Sequence, residues 1–220
     1  MRRIIRSSVL NNIDSSVVKQ MSFEDIEGYF DENCGCKLYD DVVNKLPNNS
    51  NIVEIGCYLG RSTFYLIENL KKRDISFNLD VVDVFQNIFS TDNKSNYKES
   101  YLEDFCKNLG SNLKYINIIN KNYSTKASEY YKNNTLDFIY VDASHREEDV
   151  INDIKLWYPK LKEGGIMGGD DWQKPGVRSA VIKSFLLNTT EECHPYQQKW
   201  SIYKYKSFEL KYNNQWIITK

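Results

Sequence analysis

The chain has 220 residues, with 29 basic and 30 acidic side chains mixed along its length and a formal net charge of −1. That length fits one domain with a substantial core, and the even charge balance argues against the concentrated basic face of a nucleic-acid binder. No run is apolar and long enough to span a membrane, and the start MRRIIRSSVL lacks an apolar core of signal-peptide length, so a soluble cytoplasmic protein is expected.

Residues 1–50 read as a helical segment with breaks. SSVVKQMSFEDIEGYF has helix-like spacing, Gly35 interrupts it, and KLYDDVVNKLP resumes until Pro47. The five cysteines are scattered. Cys34 and Cys36 form a C-x-C pair without the second pair that a zinc site needs, so the cysteines read as small buried hydrophobes.

After a polar loop, residues 51–63 read NIVEIGCYLGRST. This is a short apolar strand ending at Glu54, a glycine turn from Gly56 to Gly60, and a helix beginning near Arg61 or Ser62. Glycines permit a tight turn and close approach of a ligand, and the helix start offers free N–H groups. The Gly-x-Gly-x-x-Gly dinucleotide fingerprint is absent. An acidic residue before the turn disfavours a pyrophosphate and suits a positive group, such as the amino-acid end of S-adenosylmethionine (SAM). The next strand, LDVVDVF, ends at Asp83, where a carboxylate can accept hydrogen bonds from a ribose diol.

Residues 86–108 turn polar, and Phe85, Phe89 and Tyr97 are candidates to line an acceptor pocket or lid. LKYINIIN reads as a third strand, followed by Asn122, Tyr123 and Ser124. Then come two apolar runs that look like buried parallel strands. LDFIYV runs into Asp142, and GGIMGG runs into Asp170 and Asp171. Strand ends of one parallel sheet lie side by side, so the three aspartates can converge. Clustered negative charge calls for a compensating cation, and an oxygen ligand set suits Mg2+. Between the runs, HREEDVINDIKLWYPKL is a helix in which Asp149 and Asp153 read as packing and capping residues. PGVRSAVIKSFLLN is a further helix, and KWSIYKY, SFELKYNN and QWIITK have β-type content.

VEIGCYLGRST and LDVVDVF resemble motifs I and II of class I SAM-dependent methyltransferases. VDASH, GGDDW and PGV resemble, within that family, the metal-dependent sugar O-methyltransferases related to macrocin O-methyltransferase, including cephalosporin-hydroxylase-like sequences. The resemblance covers roughly residues 51–185. It implies an α/β Rossmann-like fold with a mostly parallel seven-stranded sheet, an antiparallel C-terminal strand and helices on both faces. It implies residues 51–220 as the SAM-binding domain, with 1–50 as a helical extension that serves as a cap or a dimer contact, and hence a homo-oligomer as one expectation.

The cofactor residues it implies are Glu54, Gly56, Gly60, Ser62, Asp83, Ser124 and Asp142. Asp142, Asp170 and Asp171 would hold Mg2+ or Mn2+. His145 is the candidate general base, with Asp142 beside it. The related sugar-methylating sequences carry an aspartate base where this chain has Ser144, a departure. The acceptor expected is a small molecule such as a glycoside or nucleotide sugar, with neither nucleic acid nor membrane as partner. A metal enzyme of the same fold with other chemistry, and a non-catalytic member that binds SAM or a partner, stay open as alternatives.

Overall fold

The computed structural model describes residues 4–6, 21–86, 100–186, 205–212 and 214–220. Eight strands form one sheet: β1 (Ile4–Arg6), β2 (Ser50–Ile55), β3 (Phe77–Asp83), β4 (Ile116–Lys121), β5 (Leu136–Val141), β6 (Leu161–Gly169), β7 (Ser207–Lys211) and β8 (Gln215–Thr219). Their order is β1-β4-β3-β2-β5-β6-β8-β7. The five central strands β4-β3-β2-β5-β6 are parallel to one another. β8 runs antiparallel between β6 and β7, and the short β1 adds antiparallel to β4 at the other edge. The seven strands β2–β8 make up the Rossmann-like sheet expected from the sequence. β1 is an eighth strand in a stretch expected to be helical.

The helices are α1 (Gly35–Val43), α2 (Arg61–Lys72), α3 (Leu102–Leu109), α4 (Ser124–Ala127), α5 (Glu147–Trp157) and α6 (Pro175–Val181). The longer ones carry a stripe of apolar side chains at helical spacing, such as Phe64, Ile67 and Leu70 on α2, all buried. Strand side chains alternate between faces, and the core divides accordingly. Ile52, Leu79, Val81, Phe138 and Tyr140 pack with α1, α2 and α3 on one face. Val53, Ile55, Val82, Ile139 and Val141 pack with α5 and α6 on the other. β5 is buried along its whole length, as expected of an apolar run covered on both faces.

Gly35 does not break the N-terminal segment. It opens α1, and a Cβ at that position would overlap the Phe30 ring, so the glycine is required by close packing. Phe89 and Tyr97, expected near an acceptor pocket, lie outside the described residues, as does most of KWSIYKY. None of the described helices is long and apolar enough to cross a membrane.

The strand order reverses at β2, which is paired with β3 on one side and β5 on the other. The crevice beyond the carboxyl ends of strands at such a reversal is where open α/β sheets take up ligands.

Candidate functional site

β2 ends at Ile55 and leads directly into the glycine turn. Gly56 has φ +87° and its N–H donates to the Val82 carbonyl on β3 at 2.9 Å. A Cβ on Gly56 would overlap the main-chain carbonyl of Asp142 at the end of β5. The glycine therefore lets the two strand ends close on one another. Gly60 also has φ +87° and precedes the first turn of α2, where a Cβ would meet the Phe105 ring at 3.0 Å.

A cavity of about 720 Å3 opens above this junction. Gly56, Asp83, Ser124 and Asp142 line it. Glu54, Gly60 and Ser62 do not; they form the layer underneath. Glu54 is completely buried, and its carboxylate accepts from Ser62 Oγ, from Thr63 Oγ1 at 2.6 Å and from Tyr39 OH at 3.2 Å. Burial pushes its pKa up to about 7 even though all three hydroxyls act to lower it. It fastens the start of α2 to β2.

Asp83 closes the turn from the β3 side. Its Oδ2 accepts from the backbone N–H of Cys57 at 2.8 Å and of Tyr58 at 3.0 Å, and its Oδ1 from that of Phe85 at 2.6 Å. Ser124 opens α4, and its hydroxyl donates to Asp153 of α5. Burial holds the Asp153 carboxyl up at about 6 despite that hydrogen bond. Ser144, at the position of the missing aspartate, donates to Asp149 at 2.7 Å.

Asp142, His145 and Asp171 each offer a ligand atom, and these atoms lie within 4.8 Å of one another. His145 Nε2 stands 2.5 Å from Asp171 Oδ2, and this hydrogen bond holds the Asp171 carboxyl below its usual range. Asp142 is driven well above that range by burial and then by Asp170, Asp171, Glu54 and Asp83. Asp170, expected as a third metal ligand, is not one of these three, although it is the first of the charges that raise Asp142. Its Oδ1 accepts from Asn214 Nδ2 and from the Asp171 N–H, both at 2.6 Å. Asp171 takes a left-handed conformation, φ 61°, which aspartate tolerates better than most residues.

Asn214 is a site residue that the sequence reading missed. Besides holding Asp170 it accepts from the Trp172 N–H through its main-chain oxygen at 2.9 Å and from the Gln173 N–H through Oδ1 at 3.1 Å. It comes from the C-terminal hairpin, distant in sequence, and only the antiparallel pairing of β8 with β6 brings it here. Tyr29, Tyr58, Tyr101 and Arg146 also line the cavity. Phe85 lines it as expected, but its ring is buried against Phe105.

The sequence matches the model of the family described as "Methyltransferase domain" over residues 53–172, more than half of the chain. The chain is a member of that methyltransferase family. Solved structures share its fold. The O-methyltransferase NovP superimposes with a TM-score of 0.61 at 16% identity, over 84% of this chain and 78% of NovP. An O-methyltransferase from Bacillus cereus in complex with SAH gives 0.57 at 13% identity over 97% of each chain. MycE, a methyltransferase from the mycinamycin biosynthetic pathway in complex with Mg and SAH, gives 0.52 at 14% identity over 84% of this chain and 49% of its own. No protein of curated function matches the sequence significantly. In this methyltransferase, then, the switch-point cavity and the Asp142–His145–Asp171 cluster occupy the carboxyl end of the sheet, where the fold places its ligands.

Proposed function

We propose that this methyltransferase transfers the methyl group of SAM to a hydroxyl of a sugar or related small molecule, assisted by Mg2+ or Mn2+. The observation that carries the reading is the Asp142–His145–Asp171 cluster at the end of β5 and β6, next to a cavity lined by Gly56 and Asp83. The residues fit a positively charged ligand. Among the described residues lining the cavity, Asp83, Asp142, Asp149 and Asp153 are acidic and Arg146 alone is basic. The close approach of Gly56 to Asp142 leaves no Cβ in the way of a ligand laid across the two strand ends.

SAM supplies a methyl group on a sulfonium, and a bound divalent cation lowers the pKa of an acceptor hydroxyl and fixes its oxygen. Asp142 and Asp171 would hold the cation through their carboxylate oxygens, donors that suit both Mg2+ and Mn2+. Asp83 would receive the ribose hydroxyls, exchanging its backbone hydrogen bonds for them in part. His145 takes the hydroxyl proton as the oxygen attacks. In that role it stands in for the aspartate replaced by Ser144.

The test is a screen of glycosides and related hydroxyl compounds for uptake of labelled methyl from SAM. Turnover is expected to vanish in excess chelator and to return with Mg2+ or Mn2+. Full turnover in chelator would leave Asp142 and Asp171 as positioning residues. His145→Gln is expected to lower turnover by about 100- to 10,000-fold while SAM still binds. A near-native rate in that variant would remove His145 from the proton transfer.

A further inference from the structure

Gln215 opens β8 and is fully buried, a rare setting for a carboxamide. Its Oε1 accepts from Tyr140 OH of β5 at 3.0 Å. Among the described residues its Nε2 has no hydrogen-bond partner. Most buried polar side-chain atoms have one, so a donor left open inside the sheet calls for an acceptor.

The pairing of the strands names that acceptor. β8 runs antiparallel to β6 with Trp216 opposite Gly169. The next step of the same register sets Gln215 opposite Asp170. Residues directly opposite in an antiparallel pair point to the same face, with their Cβ atoms about 4.5–5.5 Å apart. The amide is also near enough to help lower the Asp170 carboxyl against burial. Tyr140 approaches from the other side of β6. It pairs with Gly168, which pairs with Ile217, so the phenol crosses β6 at a residue without a side chain. Its ring is fixed by edge-on packing against Tyr39, with 4.9 Å between centroids.

Asp170 is in turn tied to the cluster. Its Oδ1 accepts from the Asp171 N–H at 2.6 Å, and Asp171 is the residue whose carboxylate meets His145. The line therefore runs from Tyr140 through Gln215 and Asp170 to the Asp171 backbone. Neither Tyr140 nor Gln215 lines the cavity, so this line reaches the cluster from within the sheet.

We propose that Gln215 is a positioning residue of the cation site, held by Tyr140 and restraining Asp170 through its open N–H. The proposal rests on the reading of Asp142 and Asp171 as cation ligands and assigns the group that steadies them. Groups that orient metal ligands typically contribute about 10- to 100-fold to metal affinity. A carboxamide suits the task because one end accepts and the other donates. A leucine of similar size fills the space and does neither.

The experiment titrates Mn2+ into the full chain and reads the paramagnetic resonance signal of the free ion. SAM affinity and thermal unfolding are measured on the same proteins. Gln215→Leu is expected to bind Mn2+ about tenfold more weakly, and Tyr140→Phe more weakly by a smaller factor, with SAM affinity unchanged in both. The double variant Tyr140→Phe/Gln215→Leu separates positioning from packing. It removes both partners of a buried hydrogen bond and leaves neither unsatisfied, so its stability should recover toward wild type while Mn2+ binding stays weak. Native Mn2+ affinity in the double variant would overturn the proposal. Should the leucine variants not fold, Tyr140→Phe, which keeps the ring, decides alone, and native Mn2+ affinity there would overturn it. An equal loss of SAM affinity would mark a general disturbance of the sheet and overturn it as well. Wild-type protein that binds no Mn2+ would instead remove the cation reading itself, and the positioning role with it.

Discussion

Glu54 shows how a single carboxylate can be visible in a sequence while its task is not. Its place before a glycine turn suggested a partner for a positive group of SAM. In β2 it alternates with Val53 and Ile55 and points to the other face, under α2, where Tyr39, Ser62 and Thr63 bond it. The strand parity that sends it there was available in the sequence; the three hydroxyl partners were not. Its carboxyl is raised to about 7, so the folded chain binds a proton more tightly there than an unfolded one does. The associated stability is complete below an unfolded pKa of about 4.3 and is lost as pH rises through about 7. Urea unfolding of the wild type should therefore show stability falling over that window, and Glu54→Gln should flatten the fall by at most about 4 kcal/mol. The remainder would come from Asp142 and Asp153, whose carboxyls are also held high. An identical pH slope in wild type and variant would show that Glu54 does not titrate in this range.

At the scale of the element, the strand–turn–helix unit and the strands that carry the acids follow from local pattern. LDVVD and LDFIYV are apolar runs too short for helices and end in carboxylates, and β3 and β5 run as those patterns predict. Which of two adjacent aspartates faces the cluster is not a local property. Asp171, in a left-handed conformation, bonds His145, while Asn214 from the C-terminal hairpin bonds Asp170. Likewise Tyr29 lines the cavity from a stretch of the N-terminal segment that Arg61 ties to α2. The turn itself has little tolerance. Gly56→Ala would place a methyl group on the Asp142 carbonyl at a φ that alanine resists. It should destabilise the fold by more than about 2 kcal/mol and weaken SAM binding together with it. Wild-type stability in denaturant would mean that the strand ends can part without cost.

The whole molecule brings together what the chain separates. Gly56 of the first central strand, Asp83 of the second, Asp142 of the fourth and Asp171 after the fifth meet because the sheet order reverses at β2 and all five strands end on the same side. The family match shows a methyltransferase, and the cavity at that reversal is where its methyl donor is expected. Calorimetric titration of SAM into the wild type and into Asp83→Ala tests this most directly. We predict saturable binding at one site in the wild type, weakened in the variant by about 1–3 kcal/mol, the range for losing charge-assisted hydrogen bonds. No binding to the wild type, or the same affinity in both proteins, would contradict the placement of SAM across the ends of β2, β3 and β5.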